Sequence, residues 1–112
     1  MFEQSTKLSS LSPNKVFLSR DLDLCDSNGL IESTVTVLIG QPYETATGEW
    51  SCAYQILGIA ELDGAVYRVM GVDSVQALVN AFTVIEATLS GTDVVKRGLL
   101  RWCGQHQPPF LR

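Results

Sequence analysis

The chain has 112 residues, of which 46% are hydrophobic and 18% are charged, and its formal net charge is −4. This length suits one globular domain, and the apolar fraction is too high for a disordered chain. No apolar run approaches the roughly 18 residues that a membrane-spanning helix needs. No signal-peptide pattern opens the sequence. We therefore expect a cytoplasmic protein without membrane contact.

Charge is distributed unevenly along the chain. All twelve acidic residues lie within residues 1–93 together with only four basic ones, while residues 94–112 hold four basic residues and no acid. An acidic body disfavours nonspecific nucleic-acid binding. Four cations near one end are too few to follow a phosphate backbone. We expect no nucleic-acid partner.

The cysteines argue against both a disulfide framework and a metal site. Cys25, Cys52 and Cys103 are odd in number and far apart, and His106 is the single histidine. Disulfide-rich domains use even, dense sets, and zinc sites use closely spaced pairs. We predict buried free thiols in a reducing compartment, no metal and no cofactor.

The order of patterns predicts a flexible serine-rich lead-in at 1–14, a single domain at 15–104 and an irregular tail at 105–112. Within the domain, alternating apolar and polar residues predict four strands, at 15–24, 32–40, 49–57 and 65–72. Turn signals at Asp26-Ser27-Asn28-Gly29 and Asp63-Gly64 favour antiparallel pairs. The pattern also allows a fifth strand at 99–103.

The apolar period changes to that of an α-helix at 74–90. Asp73 is placed to cap the first turn, Gln76 to complete a capping box and Gly91 to end the helix. We expect the bulkier stripe to face the sheet, namely Val75, Leu78, Val79, Phe82, Ile85 and Leu89. The predicted fold is α+β: one long helix on a face of an antiparallel four- to five-stranded meander, in the order ββββα with an optional terminal strand.

The helix has an unusual outer face, because Glu86 is its single charge. A second stripe carries small or β-branched residues, at Ala77, Ala81, Val84 and Thr88. A helix that covers one face of a sheet normally shows a charged face to solvent. We expect this stripe to be covered, either by residues 94–102 of the same chain or by a protein partner, most simply in a two-fold homodimer.

No catalytic constellation is recognised. His106 lies in the predicted tail, close to two prolines, where a general base would be poorly held. Asp21 and Asp23 share a strand face, but such acids usually serve solubility. The glycine-rich loop, nucleophile-elbow and zinc-protease motifs are missing. We expect a non-enzymatic protein that binds a partner protein or itself.

Arg68, Trp50 and Trp102 support a second hypothesis. Arg68 has apolar neighbours on its strand, so it must reach either solvent or a carboxylate such as that of Glu49, Glu86 or Asp73. Together with the two tryptophans it would line a cleft between sheet and helix. In this interpretation the protein binds a small ligand or anion.

The run Arg68-Val69-Met70-Gly71-Val72-Asp73-Ser74-Val75-Gln76-Ala77-Leu78 resembles a strand-to-helix motif of small uncharacterised bacterial proteins, a domain of unknown function. Trp50-Ser51-Cys52 and Leu100-Arg101-Trp102 match that family's aromatic-x-Cys and Leu-x-Trp stretches. The resemblance covers about residues 49–104 and implies a fold and a bacterial source, but no activity. The motif also has a structural explanation, since Gly71 permits a close turn and Ala77 permits tight packing.

Overall fold

The computed structural model describes residues 2–4, 15–62, 64–102 and 105–106. These residues form two helices, α1 (Ser74–Ser90) and α2 (Asp93–Lys96), and a 3₁₀ turn at Ala60–Leu62. They also form the strands β1 (Phe2–Gln4), β2 (Val16–Cys25), β3 (Ile31–Gly40), β4 (Tyr43–Glu44), β5 (Trp50–Leu57), β6 (Val66–Gly71), β7 (Leu100–Trp102) and β8 (Gln105–His106).

All of these strands belong to one antiparallel sheet, with the order β1-β6-β5-β3-β2-β7-β8. β4 pairs with β5 beyond the end of β3. The four long strands pair in the order in which they follow one another in the chain: β2 with β3, β3 with β5, and β5 with β6. This arrangement is the predicted meander. β7 pairs with β2 and supplies the additional strand that the pattern allowed. The predicted α+β fold is confirmed.

Two short strands lie in the segments predicted to be irregular. β1 pairs with β6, and β8 pairs with β7, at the two ends of the sheet. Each has only two or three residues, so no alternating pattern is long enough to be recognised. Their position has a physical reason, because they pair backbone groups that β6 and β7 would otherwise expose.

Helix α1 lies across β5 and β6 and encloses the hydrophobic core. The buried core residues of the sheet are Leu22, Val35, Val37, Ile39, Cys52, Tyr54, Ile56, Val69 and Leu100. From α1 they meet Ala77, Ala81, Ile85 and Leu89. The core is therefore one cluster, between one face of the sheet and one side of α1.

The predicted ends of α1 are confirmed by their hydrogen bonds. The Asp73 carboxylate accepts the backbone N–H of Gln76 at 2.7 Å. The Gln76 side-chain oxygen accepts the N–H of Val72 at 2.7 Å, so both members of the capping box are present. Gly91 closes the helix with an ordinary φ of −81°.

The prediction of which stripe of α1 faces the sheet was wrong for Val75 and Val79, whereas Leu78 and Phe82 are partly buried against the core. Ala77 and Ala81, expected at an interface, are fully buried in the core. Val75 and Val79, expected in the core, are 69% and 53% exposed. Ile85 and Leu89 are buried as predicted.

The reason is a close backbone contact between β6 and α1. A Cβ atom on Gly71 would lie 2.4 Å from the backbone nitrogen of Ala77 and 2.8 Å from its Cα. Only Val72 and Asp73 separate the end of β6 from the start of α1, so the helix cannot move away. Small side chains alone fit between helix and sheet at this distance, and the valines are turned outward.

Residues 94–102 fold back only in part. Leu100 is buried, and Val94, Val95 and Trp102 pack against the core cluster. They leave Val75 and Val79 exposed. The small-residue stripe is therefore covered mainly by the sheet itself. The sequence had led us to expect residues 94–102 or a protein partner in this place.

Replacing Gly71 with alanine is expected to lower the free energy of unfolding by at least about 2 kcal/mol, because overpacking against backbone atoms forces the helix off the sheet. Chemical denaturation of Gly71→Ala against the parent chain measures this loss.

Gly91→Ala is the matched control. Gly91 has a negative φ, and an added Cβ would meet its nearest atoms at an ordinary 3.5 Å. We expect a change within about 0.5 kcal/mol for this variant. Equal losses for both variants would contradict the backbone contact as the cause.

Candidate functional site

A groove of about 340 Å³ lies beside the first turn of α1 on the helix-bearing side of the sheet. We call it the α1 groove. β2 contributes at a β-bulge, the β3–β4 connection contributes two residues, and β5 contributes its first residue. The lining residues are Phe17, Gln41, Pro42, Trp50, Ser74, Val75 and Leu78.

Three exposed valines lie at or near the first turns of α1, and one of them, Val75, lines the groove. Val72, Val75 and Val79 are 76%, 69% and 53% exposed, and we call them the valine ridge. Phe17, which lines the same groove as Val75, is 52% exposed. Single exposed apolar residues are common, but an apolar groove with an adjoining apolar ridge is typical of a binding surface.

The α1 groove is electrically neutral, since none of its seven lining residues ionises. Two acidic residues are next to lining residues in the chain: Glu49 precedes Trp50, and Asp73 precedes Ser74 and caps α1. The Asp73 carboxylate is held by the Gln76 N–H at the positive end of the helix dipole. A neutral floor with a charge at its margin matches the usual anatomy of protein interfaces.

The structure does not bring Trp50, Arg68 and Trp102 together. Arg68 pairs with Ala53, three residues after Trp50 on β5, so the two side chains lie on opposite faces of the sheet. Trp102 shares the face of Trp50, but β3 and β2 lie between their strands. Instead, the guanidinium of Arg20 lies 4.1 Å from the ring centroid of Trp102 in a cation–π contact.

Arg68 lines a second concavity of about 610 Å³, on the face of the sheet opposite α1. We call it the Arg68 pocket. None of the described carboxylates forms an ion pair with Arg68, including the three considered from the sequence. In the β1–β6 register, however, Glu3 is directly opposite Arg68. The lining residues are Lys15, Gly40, Gln41, Pro42, Tyr43, Ala53 and Arg68.

The four residues predicted to form an interface have three different environments. Ala77 and Ala81 are in the core, and Val84 is half-buried against it. Thr88 lines a small cavity beside Tyr54 at the far end of α1. None of the four lines the α1 groove.

Within the described ranges, no group of histidine, cysteine and carboxylate side chains could hold a metal ion. In the same part of the chain, no helix is long and apolar enough to cross a membrane. Cys25 and Cys52 are free and buried, as the sequence predicted. Cys103 and the side chain of His106 lie outside the described residues.

A protein-family model for a domain of unknown function, DUF6968, matches residues 18–110. The chain belongs to the DUF6968 family. This confirms the resemblance to an uncharacterised domain family, and it extends the matched region from about residue 49 back into β2 of the DUF6968 fold. No curated protein and no solved structure matches the sequence of this DUF6968 chain.

The sequence interpretation missed Phe17 as a site residue and assigned Val75 and Leu78 to the core. A signal was available in the single residue, Asp73, that separates the predicted strand at 65–72 from the predicted helix at 74–90. Such a short link holds the first turns of the helix close to the strand, where only small residues fit. Ala77 and Ala81 lie four residues apart in those turns, so they mark the inward stripe.

Burial raises the pKa of the Cys52 thiol of this DUF6968 domain to about 11. The reactive thiolate is therefore scarce at pH 8, and the side chain is also inaccessible. We expect iodoacetamide to leave Cys52 unmodified in the native protein and to alkylate it fully in urea, as measured by peptide mass spectrometry. Rapid native alkylation at pH 8 would contradict this environment.

Proposed function

We propose that this DUF6968 protein is a non-enzymatic interaction module that self-associates through the α1 groove and the valine ridge to form a two-fold homodimer. The observation that carries the proposal is the exposure of three valines around the first turns of α1, one of which lines an apolar groove. Water contact at such a surface is unfavourable, and covering it provides a driving force for association.

A second copy is a suitable occupant because one surface supplies both a projection and a concavity. In a two-fold contact, the ridge of each protomer faces the same surface of its partner, so it can enter the partner's groove. A two-fold axis also brings like charges together. The neutral lining of the α1 groove avoids that repulsion, and Asp73 at the margin stays in water.

The energy available is sufficient for a reversible dimer. Fully burying one valine side chain contributes roughly 1.5 kcal/mol or more, and each protomer would bury parts of three. Phe17 and Trp50 add aromatic area at the groove. These gains oppose the loss of translational and rotational freedom, so we expect micromolar rather than picomolar association.

We place the protein in the bacterial cytoplasm. Two buried free thiols support a reducing compartment. The bacterial source is supported by the strand-to-helix motif alone.

Replacing Val75 with glutamate is expected to abolish the dimer without unfolding the chain, since the side chain is already mostly exposed. Each dimer would contain two new charges in an apolar contact. Size exclusion with light scattering over a wide concentration range should give twice the 12.2 kDa chain mass for the parent and the single mass for Val75→Glu.

Ala87→Glu is the matched control. It adds the same charge to an exposed position of α1, three turns after Val75 and outside the groove. The proposal requires it to remain dimeric. A parent chain that is monomeric at every concentration would refute self-association, and equal dissociation of both variants would refute the assigned surface.

A second candidate function is the binding of a small anion in the Arg68 pocket. Its supporting observation is the pair of cationic side chains, Lys15 and Arg68, with Tyr43 in one concavity. Two cationic side chains and a phenol hydroxyl in one concavity can donate hydrogen bonds to a carboxylate or phosphate.

Chemical-shift titration with inorganic phosphate and with succinate tests the second candidate. Arg68→Ala should weaken binding at least tenfold and leave the oligomeric state unchanged. Arg97→Ala is the control, because Arg97 is an exposed cation paired with Asp93 and lies outside the pocket. Absence of saturable shifts at Ala53 and Tyr43 in the parent chain would eliminate the candidate.

A further inference from the structure

A third concavity lies toward the other end of α1, away from the α1 groove. Its volume is about 180 Å³, and we call it the tyrosine cavity. β5, β6, the 3₁₀ turn and the last turns of α1 form its walls. The lining residues are Tyr54, Ile56, Leu62, Ala65, Tyr67 and Thr88, none of which lines the α1 groove or the Arg68 pocket.

The β5–β6 connection is held at Gly58 and Gly64, toward its two ends. The Gln55 side-chain amide donates to the carbonyl of Gly64 at 2.7 Å, just before Ala65. At the other end of the connection, Gly58 has a φ of +103°, and a Cβ there would lie 2.6 Å from the carbonyl oxygen of Thr34. The connection is thus packed against β3 and tied to β5. A space bounded in this way is preformed, so a ligand need not first order its walls.

The chemistry of the cavity is aromatic and uncharged. The rings of Tyr54 and Tyr67 stack with centroids 5.5 Å apart and an interplanar angle of 25°. Thr88 lines the same cavity as Tyr54, so the cavity wall includes a threonine and a tyrosine hydroxyl. Burial raises the pKa of Tyr54, so the phenol stays neutral in the physiological range. A hydroxyl pair at an aromatic wall can bond one polar group of a planar guest.

We propose that the tyrosine cavity binds a neutral, single-ring aromatic compound that carries one hydroxyl or amine group. The ring would pack between the tyrosine pair and the aliphatic side chains of Ile56 and Leu62. The polar group would bond the Tyr54–Thr88 hydroxyl pair.

Size and charge both limit the ligand class. An apolar cavity of about 150 Å³ accommodates benzene. The tyrosine cavity, at about 180 Å³, can therefore hold one substituted ring, but it is too small for a nucleotide or for a fused ring system as large as a nucleotide. An anion would lose its hydration without gaining an opposite charge among the lining residues. Phenol is therefore a suitable probe, and benzoate is its charged counterpart of similar size.

Protein-observed NMR titration with phenol tests the proposal on the full chain. We expect saturable shifts at Tyr54, Tyr67 and Thr88, and at least tenfold weaker binding of benzoate. Ala65→Leu should weaken phenol binding at least tenfold by occupying the cavity. Ala87→Leu adds the same side chain on the exposed side of α1 and should bind phenol like the parent.

Two further variants keep the test decisive. Thr88→Val preserves the side-chain volume and removes the hydroxyl, so it should weaken phenol binding severalfold and not affect benzene. If Ala65→Leu fails to fold, Ala65→Val fills part of the same space and should weaken phenol binding to a smaller degree.

No saturable shift in the parent, or full phenol affinity in a folded Ala65→Leu, would overturn the proposal. Val75→Glu should bind phenol normally, which separates this site from self-association.

Discussion

The backbone contact between Gly71 and Ala77 is the constraint on which the arrangement of the helix depends. A Cβ on Gly71 has no space, so strand β6 and the first turns of α1 lie as close as two backbones can. The inward side chains must then be small at Ala77 and Ala81, and larger inward side chains, Ile85 and Leu89, follow farther along the helix. Val75 and Val79, in the same turns, remain exposed. Their exposure is a consequence of close packing, and it creates the surface on which the proposed function rests.

This constraint also explains which features could be predicted from the sequence. The ends of α1 depend on local interactions, namely the Asp73 cap, the Gln76 capping box and the apolar period. All three could be identified in the sequence. The choice between its two apolar stripes depends on the distance to the strand. Hydrophobicity favours the bulkier stripe with Val75 and Val79, whereas steric exclusion selects the alanines. Periodicity contains no information about that distance. The two-residue link to β6 does contain it.

The sheet shows the same division between local and long-range information. Alternation identified the four long strands and the two faces of each, because side-chain direction within a strand is a local property. How the faces of different strands combine depends on register. The connection from β5 to β6 contains a 3₁₀ turn and is not a tight hairpin, so it did not fix the pairing of Arg68 with Ala53. A one-residue change in register would have placed Arg68 on the side of Trp50. The expected cleft therefore depended on information that the sequence pattern lacks, as did the pairing of β1 with β6.

The two candidate surfaces near the start of α1 are physically connected. Gln41 and Pro42 line both the α1 groove and the Arg68 pocket, which lie on opposite faces of the sheet. This short segment follows Gly40 at the end of β3, where the strand is interrupted before β4 resumes pairing with β5. Pro42 has no N–H and a fixed φ, so the wall has few alternative conformations. An anion that bound on one face would have to position Gln41 and Pro42, and a second protomer on the other face would contact the same residues. If the two ligands position this wall differently, their binding energies are coupled, and the coupling is reciprocal. Self-association and anion binding are therefore separate hypotheses about function that share one structural element.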